Sequence, residues 1–492
     1  MNNRKNLISA LVYQVAHIIY GLILPRIVIE TFGSDVNGLV ASITQFLSFI
    51  SLLEGGLGAV VLAELYRPIE KNDNETIKSI LVACQRFFVR LAGAFFAYTI
   101  IVAIVYSISV KGTYSIPYTF SLVFILALTI LAEYLFAVTN RLYLQATQRV
   151  FIVNYLSSIT LIINIVIAFV TIRLCPEIHI LKLLSSIAFF VQPLIYQRII
   201  CDEYKYLRKK QVTPIVLKNR WSGFAQNLAH FINMNTDVVL ITMFSTLGNV
   251  SVYSVYMLAV SALRSIIANV ANSFQSALGK YIAEDNIDKL KPQFVFFNKC
   301  VWGISLVFFS TCLLLVNPFV LLYTKGINDA NYYQPLFGLV VVLANLIYCL
   351  REPYRLLILA GGKFKETNFG AIMEAALNII ISLLLIMKFG LLGVAIGTLV
   401  AIFYRMIYFI VFLRKDILAV PLTQYLGLSI KAVSIIVFNV GVYFIINITV
   451  DSVMAFCIYG MGIVVIEAII VLVLFFGFKD SKKVIQTILR KI

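Results

Sequence analysis

Long runs of apolar residues alternate with short polar connections along the whole chain. The run VVIEAIIVLVLFFGF, for example, is interrupted by a single charged residue. A transmembrane helix needs about 20 apolar residues in succession, whereas a membrane β-barrel needs alternating apolar and polar positions. The pattern therefore predicts an all-α polytopic membrane protein with fourteen transmembrane helices. The predicted ranges are 8–30, 36–62, 80–109, 117–140, 151–173, 178–199, 222–246, 250–279, 296–323, 333–359, 367–388, 391–413, 424–448 and 454–478.

The composition supports a membrane location. Of the 492 residues, 61% are hydrophobic and 13% are charged, and the mean hydropathy is +0.94. Soluble domains carry roughly 25% charged residues. This chain therefore has too little polar surface to cover a water-soluble globule.

The positions of Lys and Arg predict the orientation in the membrane. With the N-terminus in the cytoplasm, the even-numbered connections and both tails hold 30 of the 40 basic residues, and the outward connections hold five. Because basic residues are retained on the cytoplasmic side, both termini are predicted to be cytoplasmic. The formal net charge of +17 then reflects topology and attraction to anionic lipids, and no nucleic-acid partner is expected. Only Cys175 of the seven cysteines lies near an outward end, so a disulfide scaffold is not expected.

An internal repeat predicts the domain organisation. RLYLQATQRVFIVNY begins at Arg141, and RLLILAGGKFKETNF begins at Arg355, 214 positions later. QVAHII at Gln14 is similarly repeated as NLAHFI at Asn227. Six crossings separate the copies, which predicts two parallel six-helix lobes related by an axis along the membrane normal; chance similarity between apolar sequences is the alternative. The predicted parts are an N-lobe (1–200), a basic cytoplasmic linker (201–220), a C-lobe (221–415), and helices 13 and 14 with a cytoplasmic tail (416–492).

Signatures of catalysis are missing from the sequence. The predicted outward connections are short, and AGGKF at Ala360 lacks the upstream glycine and the hydroxyl residue of a phosphate-binding loop. Three histidines and no C-x-x-C motif give no basis for a metal site or a cofactor. The chain is therefore expected to move a substrate rather than to be an enzyme.

Charged and amide side chains within the predicted helices indicate where a substrate would pass, since such groups are costly in a bilayer. We expect a hydrated cavity between the lobes. The predicted substrate-binding residues are Arg26, Arg264, Arg90, Arg86, Gln45, Asn272 and Gln275. The predicted coupling or cavity acids are Asp237, Glu54, Glu133 and Glu374, which would bond to sugar hydroxyls or carry a coupling cation.

Structural roles are the alternative for several of these residues. Arg26 could extend to the outer headgroups, and Arg90 could pair with Glu133 to hold two helices together. Asp237 could form an ion pair with Arg26. A ligand-binding role is also possible for the arginines, because a planar guanidinium can bind two oxygens of a phosphate at once. A cavity with several arginines and amides could therefore take a pyrophosphate joined to a sugar chain.

Three stretches resemble the bacterial polysaccharide-export flippases. LPRIVIETFGSDVNGLVASITQFLSFISLLEGGLG looks like their opening, and NTDVVLITMFSTLGNVSVYSVY is similar to their seventh helix, with Asp237 followed by Gly248, Val250 and Tyr253. LILAGGKFKETNFGAIMEAALNIIISLLLIMKFGLLGVAIGTLVA looks like their eleventh and twelfth helices. The resemblance covers nearly the whole chain and implies membership of the multidrug/oligosaccharidyl-lipid/polysaccharide exporter superfamily.

This resemblance implies a multi-pass protein of the bacterial inner membrane that flips an undecaprenyl-pyrophosphate-linked oligosaccharide to the outer leaflet by alternating access. Its partners would be that lipid, membrane lipids, other polysaccharide-assembly proteins and a coupling cation, either proton or sodium. Related lipid II flippases use arginines of helices one and eight on the pyrophosphate, which implies this role for Arg26 and Arg264.

Two other functions stay open from the sequence. A cation-coupled drug antiporter of the same superfamily would typically have twelve helices and an acidic residue in helix one, where this chain has Arg26. A membrane glycan polymerase or ligase would need a sizeable outer loop with acidic residues, which the short outward connections disfavour.

Overall fold

The computed structural model describes residues 2–54, 57–110, 112–203, 224–272, 274–284, 287–363, 366–414, 422–446 and 448–476. All regular secondary structure within these ranges is helical. The helices are α1 (Asn2–Phe32), α2 (Ser34–Ser48), α3 (Leu57–Glu70), α4 (Asn74–Ser109), α5 (Ile116–Ala132), α6 (Val138–Ala146), α7 (Val150–Leu174), α8 (Ile178–Glu203), α9 (Phe224–Phe244), α10 (Leu247–Asn272), α11 (Gln275–Ala283), α12 (Ile287–Tyr323), α13 (Pro335–Ala360), α14 (Asn368–Phe389), α15 (Leu391–Leu413), α16 (Leu422–Ile445) and α17 (Val453–Ile470).

Thirteen helices of the described residues are long and apolar enough to cross a membrane, and the shorter apolar segment Met234–Phe244 lies in α9. The prediction of an all-α, multi-pass membrane protein is therefore confirmed. Three predicted helices are divided locally. The second comprises α2, a 3₁₀ segment (Phe49–Glu54) and α3, the fourth contains a π segment (Glu133–Ala137), and the eighth comprises α10 and α11.

Two compact units divide the chain: unit 1 is Met1–Leu228 and unit 2 is Ala229–Ile492. In unit 1, α1 packs against α7, and α4 packs against α5. In unit 2, α15 packs against α13 and α14, while α12 contacts α13, α16 and α17. The predicted linker falls largely on residues 204–220, which lie outside the described residues, as does the predicted tail from residue 477 onwards.

Two glycines allow α15 to approach α14 closely. A Cβ on Gly397 would overlap the side chain and backbone of Ser382, and one on Gly393 would overlap the backbone carbonyl of Leu385. Small residues at four-residue spacing commonly permit such contact between membrane helices. This contact fixes Thr398 of α15 beside Asn378 of α14, whose Nδ2 donates to Thr398 Oγ1 at 2.9 Å.

The two copies of the repeated sequence end their helices with the same turn. Gln148 after α6 has φ 57°, and Gly362 after α13 has φ 66°. In each case the following backbone N–H, of Arg149 or Lys363, donates to the carbonyl five residues earlier, at 2.8 and 3.1 Å. Gln148 therefore adopts a left-handed conformation that is sterically unfavourable for a residue with a Cβ but freely accessible to glycine. The shared geometry accounts locally for the repeat; the superposition of 1–200 on 221–415 stays a prediction.

Candidate functional site

A pocket of about 220 Å³ lies within unit 2, between α9, α10, α13 and α15. We call it the unit-2 pocket. Most of its wall is apolar, which is typical of ligand sites in which a few polar groups fix orientation. Its polar lining residues are Asp237, Tyr253, Arg264, Asn345 and Thr398.

Arg264 presents its guanidinium to this pocket. Its Nη1 donates to Asn345 Oδ1 at 3.3 Å, and its Nη2 approaches Met234 Sδ at 3.0 Å. Its Cζ lies 4.6 Å from the centroid of the Tyr348 ring. No carboxylate of the described residues lies within ion-pair distance of it. The neighbours thus fix the side chain while leaving donors of the five-donor guanidinium available to an anionic ligand.

Asp237 lies in the same pocket wall and is buried, with 4% of its surface exposed. Tyr253 Oη donates to Oδ2 at 3.0 Å, and Thr398 Oγ1 is 2.8 Å from Oδ1. Asn378 supports this arrangement through Thr398. The carboxylate is therefore positioned by neutral donors, so it can accept a proton or contribute to a cation site. The alternative pairing with Arg26 stays a prediction; within unit 1, Arg26 Nε lies 3.5 Å from Glu30 Oε2.

Glu374 lies in a buried ionic cluster behind this wall. Arg351 Nη1 donates to its Oε1, and Arg405 Nε lies 3.5 Å from its Oε2. All three side chains are at most 6% exposed. Arg351 also lies over the Tyr348 ring, 4.4 Å from the centroid. Since two cations already hold its carboxylate, Glu374 connects helices in the structure and is not among the residues that line the pocket.

Neither cationic member of this cluster was predicted from the sequence to have a site role. Both lie near the cytoplasmic ends of predicted helices and were counted among the basic residues of the adjoining connections 351–366 and 405–423, whereas the structure places them within α13 and α15. Glu374 in a predicted helix was the available signal, because a buried carboxylate requires a partner. Gly370 makes room for Arg405, since a Cβ there would overlap its guanidinium.

The remaining predicted residues of unit 1 lie in several places. Arg86 and Arg90 are both exposed on α4. Gln45, near the end of α2, has its Nε2 3.4 Å from Ser48 Oγ. Glu54 accepts a 2.6 Å hydrogen bond from Tyr134 Oη.

Glu133 does not pair with Arg90. Its carboxylate lies 2.7 Å from Arg141 Nη1. Arg141, assigned from sequence to a connection, is therefore part of α6 and lines a second pocket within unit 1 together with Glu133.

The last two predicted residues of unit 2 lie away from the unit-2 pocket lining. Asn272 ends α10 and is exposed, and Gln275 begins α11 and is half-buried. Of the predicted residues, the structure thus brings Arg264 and Asp237 together in one pocket. It joins to them Tyr253, Asn345 and Thr398, three neutral side chains to which the sequence analysis gave no site role.

Solved structures of membrane transporters share this fold. The structure of the lipid II flippase MurJ in an inward closed conformation matches with a TM-score of 0.68 and 14% identity, covering 94% of this chain and 97% of that chain. An inward-facing multidrug resistance MATE family transporter of the MOP superfamily matches with a TM-score of 0.55 and 15% identity, covering 82% and 96%. A MOP superfamily transporter from Pyrococcus furiosus matches with a TM-score of 0.52 and 14% identity, covering 83% of this chain and 94% of that chain. Its binding pocket is described as having reverse polarity.

The fold and its apolar helices define the chain as a multi-pass membrane protein that shares its fold with these transporter structures. Comparison with models of protein families and with curated protein sequences finds no match. At 14–15% identity the structural matches establish the fold, and the substrate must be argued from the pocket.

Proposed function

We propose that this protein is a flippase that translocates an undecaprenyl-pyrophosphate-linked oligosaccharide from the inner to the outer leaflet of the bacterial plasma membrane. It would work by alternating access and serve surface polysaccharide biosynthesis. Arg264 is the residue that we expect to bind the pyrophosphate, with Arg26, Arg86, Arg90 and Gln45 as further candidates along the path. Asn272 and Gln275 complete the set of candidates.

The guanidinium of Arg264 is the observation that carries this proposal. A charge that only stabilises a membrane protein is normally paired with an opposite charge, because an unpaired buried charge is expensive. Arg264 instead contacts an amide, a thioether and an aromatic ring. An anionic ligand would supply the missing counter-charge, and the planar fork can bind two phosphate oxygens at once.

The extent of the structural match favours a flippase over a drug antiporter. The match to the lipid II flippase structure covers 94% of this chain, against 82% for the MATE family transporter. The similarity to these two proteins lies in the fold, so the substrates named for them support a class of function and not a particular substrate. Long outer loops of the kind expected for a glycan polymerase are not found between the described helices: the longest connection predicted to face outward spans 324–334.

Asp237 is the residue that we propose to carry the coupling cation. It shares the pocket wall with Arg264, so a cation on Asp237 and an anion on Arg264 would influence each other electrostatically. Glu54 and Glu133 are the remaining candidate acids, and each is engaged by a single described partner group, Tyr134 and Arg141 respectively. Glu374 is the weakest candidate because two arginines neutralise it.

A cation-coupled drug antiporter is the second candidate function. A buried carboxylate in a mostly apolar pocket would also suit an organic cation, and the MATE family transporter shares the fold. Arg264 in the same wall argues against this, since it would repel a cationic drug.

Deletion of the gene in its host distinguishes the two candidates. A flippase mutant should lose surface glycan and accumulate lipid-linked oligosaccharide on the cytoplasmic side, with unchanged drug susceptibility. Wild-type protein should restore the glycan, whereas Arg264→Ala at equal membrane abundance should not. Unchanged surface glycan together with increased drug sensitivity would contradict the proposal and support the antiporter.

A further inference from the structure

A second pocket, of about 240 Å³, lies within unit 1 between α1, α5, the π segment, α6, α7 and α8. We call it the unit-1 pocket. Its polar lining differs from that of the unit-2 pocket, as it contains an ion pair, an amide, two aliphatic hydroxyls and two phenols. These residues are Tyr13, Thr129, Glu133, Arg141, Ser157, Gln192 and Tyr196.

The charges of this pocket cancel within the pocket itself. Glu133 Oε1 and Arg141 Nη1 are 2.7 Å apart, and both side chains are partly exposed, at 40% and 44%. An anionic ligand would have to compete with Glu133 for the guanidinium, and a cationic ligand would have to compete with Arg141 for the carboxylate. The pair nevertheless keeps free donors on the guanidinium and free lone pairs on the carboxylate. A neutral ligand with both donors and acceptors matches this arrangement.

The π segment helps to place the ion pair on one face. Residues eight apart in a regular α-helix point about 80° away from each other, because each residue turns the helix by about 100°. The wider turns of the segment Glu133–Ala137 reduce that angle between Glu133 and Arg141. Such π segments within α-helices frequently occur at functional sites.

Gln192 offers a donor that none of the described residues uses. Its Oε1 accepts hydrogen bonds from Tyr196 Oη at 3.3 Å and from Ser157 Oγ at 3.5 Å. These two contacts orient the amide, and its Nε2 makes no hydrogen bond with any of the described residues. An amide oriented in this way provides two N–H donors to a ligand.

Aromatic rings complete the wall. Tyr13, Phe189 and Tyr196 line the same space, and Tyr13 Oη has no hydrogen-bond partner among the described residues. Aromatic rings provide flat apolar surface, and the phenol adds one polar group at its edge. The C–H face of a sugar ring fits such a surface while its hydroxyls reach the amide and the ion pair.

We propose that the unit-1 pocket binds one uncharged sugar unit of the translocated glycan, an assignment that rests on the proposed function. Its volume is below the roughly 300–1,000 Å³ typical of sites for drug-sized ligands, so it suits one ring of a longer chain. The two pockets would then recognise different parts of the substrate. The guanidinium of Arg264 in the unit-2 pocket binds the charged end, and the charge-neutral unit-1 pocket binds a sugar.

Free glycosides test this assignment without any transport step. The purified full-length protein in nanodiscs is titrated with the methyl glycosides of glucose, galactose, N-acetylglucosamine and N-acetylgalactosamine, and binding is followed by saturation-transfer difference NMR. At least one glycoside should bind the wild type. Gln192→Leu removes the free amide donors while keeping a similar size, and should weaken that binding about three- to tenfold or more.

Gln14→Leu is the matched control. Gln14 is adjacent to Tyr13 on α1 but does not line the pocket, so the same chemical change there should leave glycoside binding unchanged. Tyr13→Phe provides a second variant, which removes only a hydroxyl and should weaken binding to a smaller extent. Size-exclusion chromatography verifies that each variant is folded before its binding is compared.

Three results would overturn the proposal: no glycoside binding by the wild type, equal affinities for Gln192→Leu and Gln14→Leu, or displacement of the glycoside by inorganic pyrophosphate. The probes lack a prenyl pyrophosphate, so this test can fail while flipping of the full lipid succeeds. Conversely, glycoside binding that depends on Gln192 would stand even if the protein flipped no lipid, and only the proposed function would then be wrong.

Discussion

Replacement of Arg264 should perturb the proposed pyrophosphate site without breaking an ion pair. This side chain has no acidic partner among the described residues. Two of its five N–H donors contact Asn345 and Met234, so three remain for a ligand. Arg264→Ala removes the charge and all three donors. Arg264→Lys keeps the charge but replaces the planar fork with a point donor.

The expected magnitude follows from the lost contacts. A hydrogen bond to a charged group contributes about 1.5–3 kcal/mol, and each 1.4 kcal/mol is about tenfold in affinity. Loss of one such contact in Arg264→Ala should therefore weaken binding of undecaprenyl pyrophosphate about ten- to a hundredfold, and loss of a bidentate pair should weaken it further. Arg264→Lys should fall between alanine and the wild type.

Native mass spectrometry of the protein in lipid nanodiscs can measure this affinity, with each variant normalised to folded protein. Arg173→Ala is a suitable control, because Arg173 is an exposed arginine in the last turn of α7 and is not among the proposed binding residues. Wild-type affinity in Arg264→Ala would refute the reasoning. Loss of folded protein in Arg264→Ala but not in Arg264→Lys would instead assign the residue a structural role.

Three further predictions concern coupling, packing and access. Asp237→Asn should remove the proton or sodium dependence of flipping while retaining substrate binding, and an unchanged cation dependence in reconstituted vesicles would exclude Asp237 as the coupling acid. Gly397→Ala should lower the thermal unfolding temperature by forcing α14 and α15 apart, at a cost of about 1–3 kcal/mol. Gly21→Ala should not lower it, because nothing lies within 4 Å of a Cβ there; equal effects would contradict the packing argument. Cysteine at Asn272 or Gln275, in a cysteine-free background, should react with an impermeant thiol reagent from one side only in any trapped state, and labelling from both sides would indicate a channel.

The helices and their approximate bounds could be predicted because hydrophobic length is a local property of the sequence. The 20-residue requirement acts on each segment independently, and the predicted ranges 367–388 and 391–413 differ from α14 and α15 by at most one residue at any end. Local breaks were harder to predict. The 3₁₀ segment Phe49–Glu54 interrupts a continuous apolar run, so hydropathy alone does not reveal it.

The candidate site was only partly predictable because side-chain partnership is a long-range property. Arg264 and Asp237 were found since each is a charge inside a predicted helix. Arg351 and Arg405 were missed since charges near helix ends are normally placed at the membrane surface, and only folding brings them to Glu374. Arg141 was likewise assigned to a connection at the membrane surface. Its partner Glu133 lies eight residues earlier, at the start of a π segment that the sequence does not reveal.

Neutral polar residues were the least predictable part of both pockets. Gln192 and Asn345 are single amides in apolar helices, and nothing in their local sequence distinguishes a ligand-binding amide from one that bonds to its own helix. Asn345 shows both uses, since its Nδ2 donates to Val341 O at 2.9 Å while its Oδ1 accepts from Arg264. Only the folded structure shows which polar atoms are used internally and which remain available to a ligand.

Flipping of a lipid-linked oligosaccharide in reconstituted vesicles tests the central claim most directly. The purified protein is incorporated into vesicles with a fluorescent undecaprenyl-pyrophosphate-linked oligosaccharide in both leaflets, and a membrane-impermeant reagent quenches the outer one. We predict that wild-type protein exposes the inner pool to quenching, and that Arg264→Ala does so much more slowly at an equal amount of folded protein. An inner pool that stays protected with wild-type protein, as it does in protein-free vesicles, would contradict the proposed function.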